Sequence, residues 1–242
     1  GIRDLVRSRG LGDVYKRQHY IGSPVVDDCQ LRDERIDRVY DTYADEDLFF
    51  NVDKIIGAWA HESLEDRPYT TREFLHLLGE EAGRRSTGEE GILSTAARLG
   101  KPIYCPAIGD SSIGIGLAEK DRKPVLFDVI EDVRETADIA ARKTSMVIYV
   151  GGGTPKNFIQ QTEVTNIVQG IDVEGHKYAI QFVVDAPQWG GLSGCTFEEA
   201  ISWGKIAVDA RMVNVLCDAT IALPIVATAV LTRRQGRKRP GR

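Results

Sequence analysis

A lysine within an apolar stretch is the most reactive candidate in this sequence. The segment "FEEAISWGKIAVDA", Phe197 to Ala210, surrounds Lys205 with mostly apolar side chains. At helical spacing, Ile201 lies one turn before the lysine and Val208 one turn after it, so we predict a helix with Lys205 on a buried face. Burial disfavours the ammonium form, and a neutral amine can form imines with activated carbons. The alternative is that the side chain reaches the surface.

Two neighbours of this lysine each have two possible roles. Thr196 and Glu199 form the S/T-x-x-E signature that begins a helix, but the Glu199 carboxylate could also bind a substrate amine. Trp203 could belong to the core, or its ring could lie against a cationic substrate.

Three glycines mark a second candidate site. In "VIYVGGGTPKNF", Gly151, Gly152 and Gly153 lie between a predicted strand and a predicted helix that begins near Pro155. Glycine lets the backbone approach a ligand closely, and a helix N-terminus offers N–H groups to an anion such as a pyrophosphate. The segment matches neither G-x-G-x-x-G nor a P-loop, so a simple tight turn remains the alternative.

Acidic residues follow three further predicted strands. Asp110 ends "PAIGD", Asp185 ends "FVVD" and Asp218 ends "VLCD". Such residues can bind ribose hydroxyls or cations, or they can cap the next helix. A glycine-rich loop, Gln188 to Gly194, comes just before the lysine segment and could cover its ligand.

The elements that must position these residues alternate along the chain. The predicted strands are "PIYCPA", "MVIYV", "YAIQFVV" and "VNVLCDA", and the intervening segments have helical spacing, ending with "TIALPIVATAVL". Apolar strands without alternation indicate an α/β fold, a Rossmann-like parallel sheet with helices on both faces. Residues 30–90 are less regular. We expect helical pieces there, including a helix that Thr70 and Glu73 begin.

Charge and composition exclude several classes of protein. The chain of 242 residues has a net charge of −5; the first 18 residues carry +3 and the last ten +6, which leaves −14 for residues 19–232. This acidic body would repel nucleic acid and attract small cations. We find no signal peptide and no apolar run of membrane-spanning length. The four cysteines have no metal-ligand spacing, which favours a cytoplasmic protein without a metal.

Four segments together resemble the deoxyhypusine synthase family. They are "EEAISWGKIAVDA", "VNVLCDATIALPIV", "VGGGTPKNFI" and "PAIGDSSIG", and the similarity covers residues 19–233. The resemblance implies an NAD-dependent transferase. Spermidine is oxidised and cleaved, an active-site lysine holds the aminobutyl group as an imine, and a lysine of a translation initiation factor receives the group. It also implies a homotetramer with sites at subunit interfaces.

The resemblance gives roles to individual residues. The imine-forming lysine aligns with Lys205. The residues implied for polyamine binding are Glu199, Trp203, Asn157 and Gln161. Those implied for NAD binding are Asp110, Gly151, Gly152, Gly153, Asp185, Ala186, Ser193, Asp218 and Ala219.

Three departures from the eukaryotic pattern concern the polyamine side. Ile115 and Leu192 each replace an Asp, and Asn157 replaces a His. The chain therefore resembles the bacterial deoxyhypusine synthase-like branch. Its acceptor could be a free amine such as putrescine, as in homospermidine synthases. A plain NAD dehydrogenase and an inactive truncated homologue are the rival hypotheses.

The similarity also predicts the organisation of the chain. Family members begin with a further segment that this sequence lacks, and residues 1–18 match nothing in the family, so we interpret them as an extraneous leader. We expect a single α/β domain over residues 19–232 and a basic disordered tail over residues 233–242.

Overall fold

The protein is described by a computed structural model that covers residues 19–86, 90–142 and 144–237. The predicted leader, residues 1–18, lies outside the described residues. The chain divides into two compact units. Within the described residues, the first unit comprises residues 19–68 and 108–126, and the second lies within residues 69–107 and 127–237.

A small antiparallel sheet, which the sequence did not predict, organises the first unit. Strands β1 (His19–Ile21), β2 (Ile36–Val39) and β3 (Thr42–Asp45) pair in the order β1-β3-β2, and helix α1 (Asp28–Asp33) lies between the first two in sequence. The sequence predicted only helical pieces within residues 30–90, and residues 36–45 are not among them. They form a hairpin instead, because Tyr40 adopts a positive φ of 56° in the turn and Val39 pairs with Thr42.

Two further helices belong to the first unit. Helix α2 spans Glu46–Ser63 and is capped by Asp45, whose carboxylate accepts a hydrogen bond from the Asp47 amide. Helix α5 spans Ser112–Leu117.

The second unit begins with helices α3 (Thr71–Arg85) and α4 (Ile92–Arg98). Its next helix, α6 (Val129–Ala141), comes after residues 108–126, which belong to the first unit. The predicted cap of α3 is confirmed, since the Thr70 hydroxyl accepts from the Glu73 amide at 3.0 Å. The predicted strand "PIYCPA" is wrong, because residues 101–105 form no regular structure. Pro102 and Pro106 lack amide donors, and the Cys105 amide donates to the Thr71 hydroxyl instead of to a strand.

A three-stranded parallel sheet forms the centre of the second unit. Strands β4 (Met146–Val150), β5 (His176–Val183) and β6 (Ile206–Leu216) pair in the order β4-β5-β6. Helix α7 (Thr154–Val168) connects the first two strands and α8 (Phe197–Ser202) precedes the third. The predicted α/β class, a parallel sheet flanked by helices, is confirmed.

The two faces of this sheet differ in burial. On one face, the core consists of Val147, Tyr149, Ala179, Phe197, Ala200 and Ile206. On the other face, Met146, Ile148 and Val150 of β4 are 53%, 51% and 47% exposed. The sequence predicted that the strands would be covered on both faces, but within the described residues this apolar row of β4 is open to solvent.

The last helix, α9, spans Ala219–Arg237 and contains Pro224. Residues 233–237, which were expected to belong to a disordered tail, continue this helix, and residues 238–242 lie outside the described residues. Among the described helices, none has the length and apolar character needed to cross a membrane.

Candidate functional site

Lys205 lies in a turn between a helix and a strand, and the predicted helix through Ala210 is wrong. Helix α8 ends at Ser202, Gly204 has a φ of 70°, and β6 begins at Ile206. A left-handed residue cannot continue a helix, so Gly204 stops α8. The backbone of Lys205 is fixed on both sides: its amide donates to the Ala200 carbonyl at 3.1 Å, and its carbonyl accepts from the His176 amide at 3.2 Å.

The side chain of Lys205 is half-buried and reaches the beginning of helix α7. Its Nζ donates to Asn157 Oδ1 at 3.2 Å and lies 5.5 Å from the centroid of the Trp203 ring. Trp203 is 64% exposed, so its ring is part of the surface and not of the core. The structure therefore brings together three of the residues that the sequence singled out.

Two other residues of the predicted polyamine set are exposed. The amide of Glu199 donates to the Thr196 hydroxyl at 3.2 Å, which confirms the predicted helix cap and leaves the carboxylate at the surface. Gln161 lies four residues after Asn157 on α7, so both residues occupy the same side of that helix.

The glycine turn precedes α7. Gly151 and Gly152 have φ values of 63° and 76°, and Gly153 occupies the N-cap position without a side-chain cap. A Cβ added to Gly152 would lie 3.0 Å from Pro155 Cγ. Open backbone followed by an uncapped N-terminus of a 15-residue helix could hold the pyrophosphate of a dinucleotide.

Strand register brings two of the predicted acids to the same edge of the sheet as this turn. Val150 pairs with Phe182, and Val183 pairs with Leu216. Asp185 and Asp218 each follow a paired strand end by two residues. Parallel strands present their carboxyl ends at one edge, where ligands of open α/β sheets bind. The N–H groups after the glycine turn and these two carboxylates therefore fit the pyrophosphate and the ribose hydroxyls of a dinucleotide.

The glycine-rich loop folds back onto the end of β5. The Ser193 hydroxyl donates to the Asp185 carboxylate. A Cβ added to Gly194 would lie 3.0 Å from the carbonyl oxygen of Ala186, a tight contact that would push the loop and the end of β5 slightly apart. Ser193, Asp185 and Ala186 are thus close together in the structure.

Asp218 serves as a cap in this structure. Its carboxylate accepts from the Thr220 hydroxyl at 2.6 Å and from the Thr220 amide at 2.8 Å, and these hydrogen bonds hold the pKa of Asp218 below its usual range. Ala219 follows as the first residue of α9. The remaining oxygen of this exposed carboxylate can still accept from a ligand.

Asp110 and Ile115 belong to the first unit. Asp110 lies in a short 3-10 turn, Ile108–Asp110, and residues 101–107 directly before this turn form no strand, so its predicted place at a strand end is wrong. Ile115 is 69% exposed in α5.

Sequence reasoning missed Lys156. Its side chain is only 3% exposed, and its Nζ donates to the carbonyl oxygens of Cys195 at 2.7 Å and of Ser193 at 3.3 Å. Desolvation lowers the pKa of Lys156, while the Cys195 thiol and the Glu199 carboxylate act in the opposite direction. The sequence feature that could have pointed to Lys156 is a lysine three residues after a glycine turn, where a cation opposes the helix dipole.

Among the described residues, no cluster of His, Cys, Asp and Glu could hold a metal ion.

The fold and the site define an α/β protein with a glycine turn, acidic residues at strand ends and a surface-accessible lysine held by an amide. A family model for deoxyhypusine synthase matches residues 9–230. The chain belongs to the deoxyhypusine synthase family.

Individual relatives agree with this assignment. The chain is 49% identical to the probable deoxyhypusine synthase 2 of Methanosarcina mazei over 226 residues, which cover 92% of this chain and 65% of that protein. It is 42% identical to the deoxyhypusine synthase-like protein of Coxiella burnetii, covering 87% of this chain and 61% of that protein. The chain therefore spans a little under two thirds of the length of these relatives.

A solved structure supports the fold. A crystal structure from Entamoeba histolytica, assigned to deoxyhypusine synthase, superposes with a TM-score of 0.51 at 16% identity, covering 76% of this chain and 55% of that one.

Proposed function

We propose that the full-length protein is an NAD-dependent transferase that moves the aminobutyl group of spermidine, through an imine on Lys205, to an acceptor amine. The observation that carries this proposal is the position of Lys205 Nζ, which Asn157 holds at 3.2 Å beside the ring of Trp203. Family membership and the names of the relatives support the reaction class.

In this proposal Lys205 is the nucleophile. Its nitrogen attacks the oxidised carbon of the polyamine, and diaminopropane leaves as the imine with Lys205 forms. Asn157 Oδ1 accepts one N–H of the lysine, so the nitrogen keeps a fixed position while its lone pair attacks. The acceptor amine then displaces Lys205, which is released unchanged.

Trp203 and Glu199 are proposed to bind the charged ends of the polyamine. The exposed ring of Trp203 offers a π-face to an ammonium group, and the exposed carboxylate of Glu199 can accept hydrogen bonds from one.

The residues proposed to hold the cofactor lie at the edge of the parallel sheet. Backbone N–H groups after the glycine turn would bind the pyrophosphate, and the carboxylates of Asp185 and Asp218 would bind ribose hydroxyls. NAD bound there would supply the hydride acceptor for oxidation of the polyamine and, once reduced, the hydride donor for reduction of the final imine. We further propose that the protein works in the cytoplasm as a homotetramer.

The acceptor is either a lysine of a translation initiation factor precursor or a free amine such as putrescine. Ile115, Asn157 and Leu192 favour the second, because they replace groups that bind polyamine amines in the eukaryotic pattern. Loss of two charge-assisted hydrogen bonds, about 1.5–3 kcal/mol each, would weaken binding of the eukaryotic substrate by roughly two to four powers of ten.

Product analysis of the full-length protein tests the proposal. With NAD and spermidine we expect diaminopropane, and with putrescine present we expect homospermidine. A plain NAD dehydrogenase would reduce NAD without a borohydride-trapped adduct on Lys205. An inactive homologue would bind no NAD in calorimetry. Exclusive labelling of the initiation-factor lysine, with putrescine present in competition, would establish the protein acceptor instead.

A further inference from the structure

Lys156 is a buried cation that the proposed chemistry does not use. It lies in the first turn of α7 with 3% of its side chain exposed. Its Nζ is 5.7 Å from the centroid of the Tyr149 ring, which forms part of the covered face of the sheet. Lysine is rarely buried without a partner, because removing an ammonium group from water is costly.

The partners of Lys156 are carbonyl oxygens. Its Nζ donates to Cys195 at 2.7 Å and to Ser193 at 3.3 Å, and both carbonyls belong to the end of the glycine-rich loop. In the part of the chain that the structure describes, no carboxylate forms an ion pair with this ammonium within 4.0 Å. The hydrogen bonds of Lys156 are therefore made to the backbone of the loop and not to a carboxylate.

The segment that Lys156 holds includes Ser193, one of the residues proposed to bind the cofactor, and Ser193 contacts a second one, Asp185. The Ser193 hydroxyl donates to Asp185, and a Cβ on Gly153 would lie 3.3 Å from Leu192 Cβ, so the loop packs directly against the glycine turn. Asn157, the residue next to Lys156, holds Lys205. One turn of α7 thus contacts both the loop and the proposed nucleophile.

We propose that Lys156 is a positioning residue that holds the glycine-rich loop closed against α7 and thereby places Ser193 and Asp185 for cofactor binding. The closure of the loop is inferred from the contacts above alone. The placement of Ser193 and Asp185 for cofactor binding rests on the proposed function. The hydrogen bonds of Lys156 go to the loop carbonyls, and it acts on Lys205 and Glu199 only through longer-range charge, so we expect its main effect on binding of the cofactor and not on the imine step.

Hydrogen exchange and proteolysis of the full-length protein, without any cofactor, test whether Lys156 holds the loop closed. In Lys156→Met, which keeps the length of the side chain but removes its donors, we expect backbone amides of residues 190–195 to exchange about tenfold faster. Chymotrypsin should cleave faster after Trp189 and Leu192, which are 68% and 52% exposed. Amides of β5 should keep their protection.

Two further variants act as controls. Lys177→Met removes a lysine of β5 that pairs with Glu174 and Asp209 away from the loop, and it should leave loop exchange unchanged. Lys156→Gln keeps N–H donors without the charge and should restore part of the protection. Unchanged loop exchange in a folded Lys156→Met protein would overturn the inference. Loss of folding in both Lys156 variants would overturn it too, because the residue would then support the whole unit.

Calorimetry and kinetics test whether Lys156 also places Ser193 and Asp185 for cofactor binding. In Lys156→Met we expect the Kd and the KM for NAD to rise about tenfold, as expected for the loss of a charge-assisted contact that orders the site, with kcat kept at saturating NAD. Equal NAD affinity in a variant whose loop has opened would contradict this role. If the unaltered protein binds no NAD although Lys156→Met still opens the loop, the proposed function fails and the positioning of the loop stands.

Discussion

Lys205 and Asn157 are 48 residues apart in sequence, and the Nζ of the first donates to the Oδ1 of the second at 3.2 Å. An amide oxygen can only accept, so Asn157 orients the amine without supplying or removing a proton. The backbone of Lys205 is held independently, by hydrogen bonds to Ala200 and His176. Both ends of the lysine are therefore fixed, which is what a nucleophile needs to attack in one direction.

Replacement of Lys205 by arginine should abolish transfer while the protein stays folded. A guanidinium group remains protonated and cannot form an imine. Borohydride trapping with spermidine and NAD, followed by mass spectrometry, should show no adduct on the variant. Lys177→Arg serves as the matched control and should form the normal adduct. Transfer activity in Lys205→Arg would exclude this lysine as the nucleophile.

Asn157→Leu should slow transfer without removing the nucleophile. Leucine has a similar size but no acceptor, so the lysine loses its fixed position, and a misplacement of about 1 Å can cost about 10²-fold in rate. Asn157→His, the residue of the eukaryotic pattern, retains an acceptor and should preserve adduct formation. The rate of the borohydride-trapped step checks this. Equal rates for Asn157→Leu and the unaltered protein would assign Asn157 to substrate binding alone.

Gly152→Ala should weaken NAD binding and reduce stability. The residue has a φ of 76°, and the added Cβ would lie 3.0 Å from Pro155 Cγ, so we expect a loss of about 1–3 kcal/mol in the free energy of unfolding. Gly83→Ala is the control, because Gly83 lies inside α3 with its nearest neighbour at an ordinary 3.7 Å. That change should stabilise the protein by about 0.5–1 kcal/mol. Chemical unfolding and calorimetry measure both; normal NAD affinity in Gly152→Ala would reduce the glycine turn to a structural role.

A buried cluster beneath the sheet predicts a specific pH dependence. Glu163 Oε1 lies 3.2 Å from His176 Nδ1, which also contacts the Ser145 hydroxyl at 2.6 Å. Desolvation raises the pKa of Glu163 and lowers the pKa of His176. The folded state therefore favours the neutral form of both groups.

The shifted pKa of each group determines how its contribution to the free energy of unfolding changes with pH. The stability due to Glu163 is complete below 4.5, the ordinary pKa of the carboxyl group, and is lost as the pH rises through the higher native pKa. The stability due to His176 is present above 6.5 and is lost as the pH falls through its lower native pKa. Glu163→Gln cannot ionise, so its free energy of unfolding relative to the unaltered protein should increase from pH 4 to pH 8. A relative decrease over that range would mean that Glu163 is ionised and paired with a protonated His176.

The sequence predicted the features that local rules determine. Thr70 and Thr196 cap their helices as expected, Pro155 lies at the start of α7, and the strand–helix order of the second unit is confirmed from β4 onward. These features depend on residues close together in the chain, so their patterns can be read without knowledge of the fold.

Features that depend on distant contacts escaped prediction. The residues around Lys205 are apolar at both helical and strand spacing, and only the left-handed conformation of Gly204 decides between the two. Lys156 would be solvated in an isolated helix, and it is buried because the loop ending at Cys195 folds over it. Tertiary packing determines both, and no local pattern encodes it.

The open apolar row of β4 has a consequence for how the chain unfolds. The heat-capacity change and the denaturant m-value both grow with the surface that unfolding newly exposes to water. Met146, Ile148 and Val150 are already about half exposed in the folded state, so they contribute only about half of what fully buried residues would add to either quantity. We therefore expect a shallower denaturant transition than a chain of 242 residues would give if every strand were covered. If a segment or subunit covers this row, the denaturant transition should be steeper.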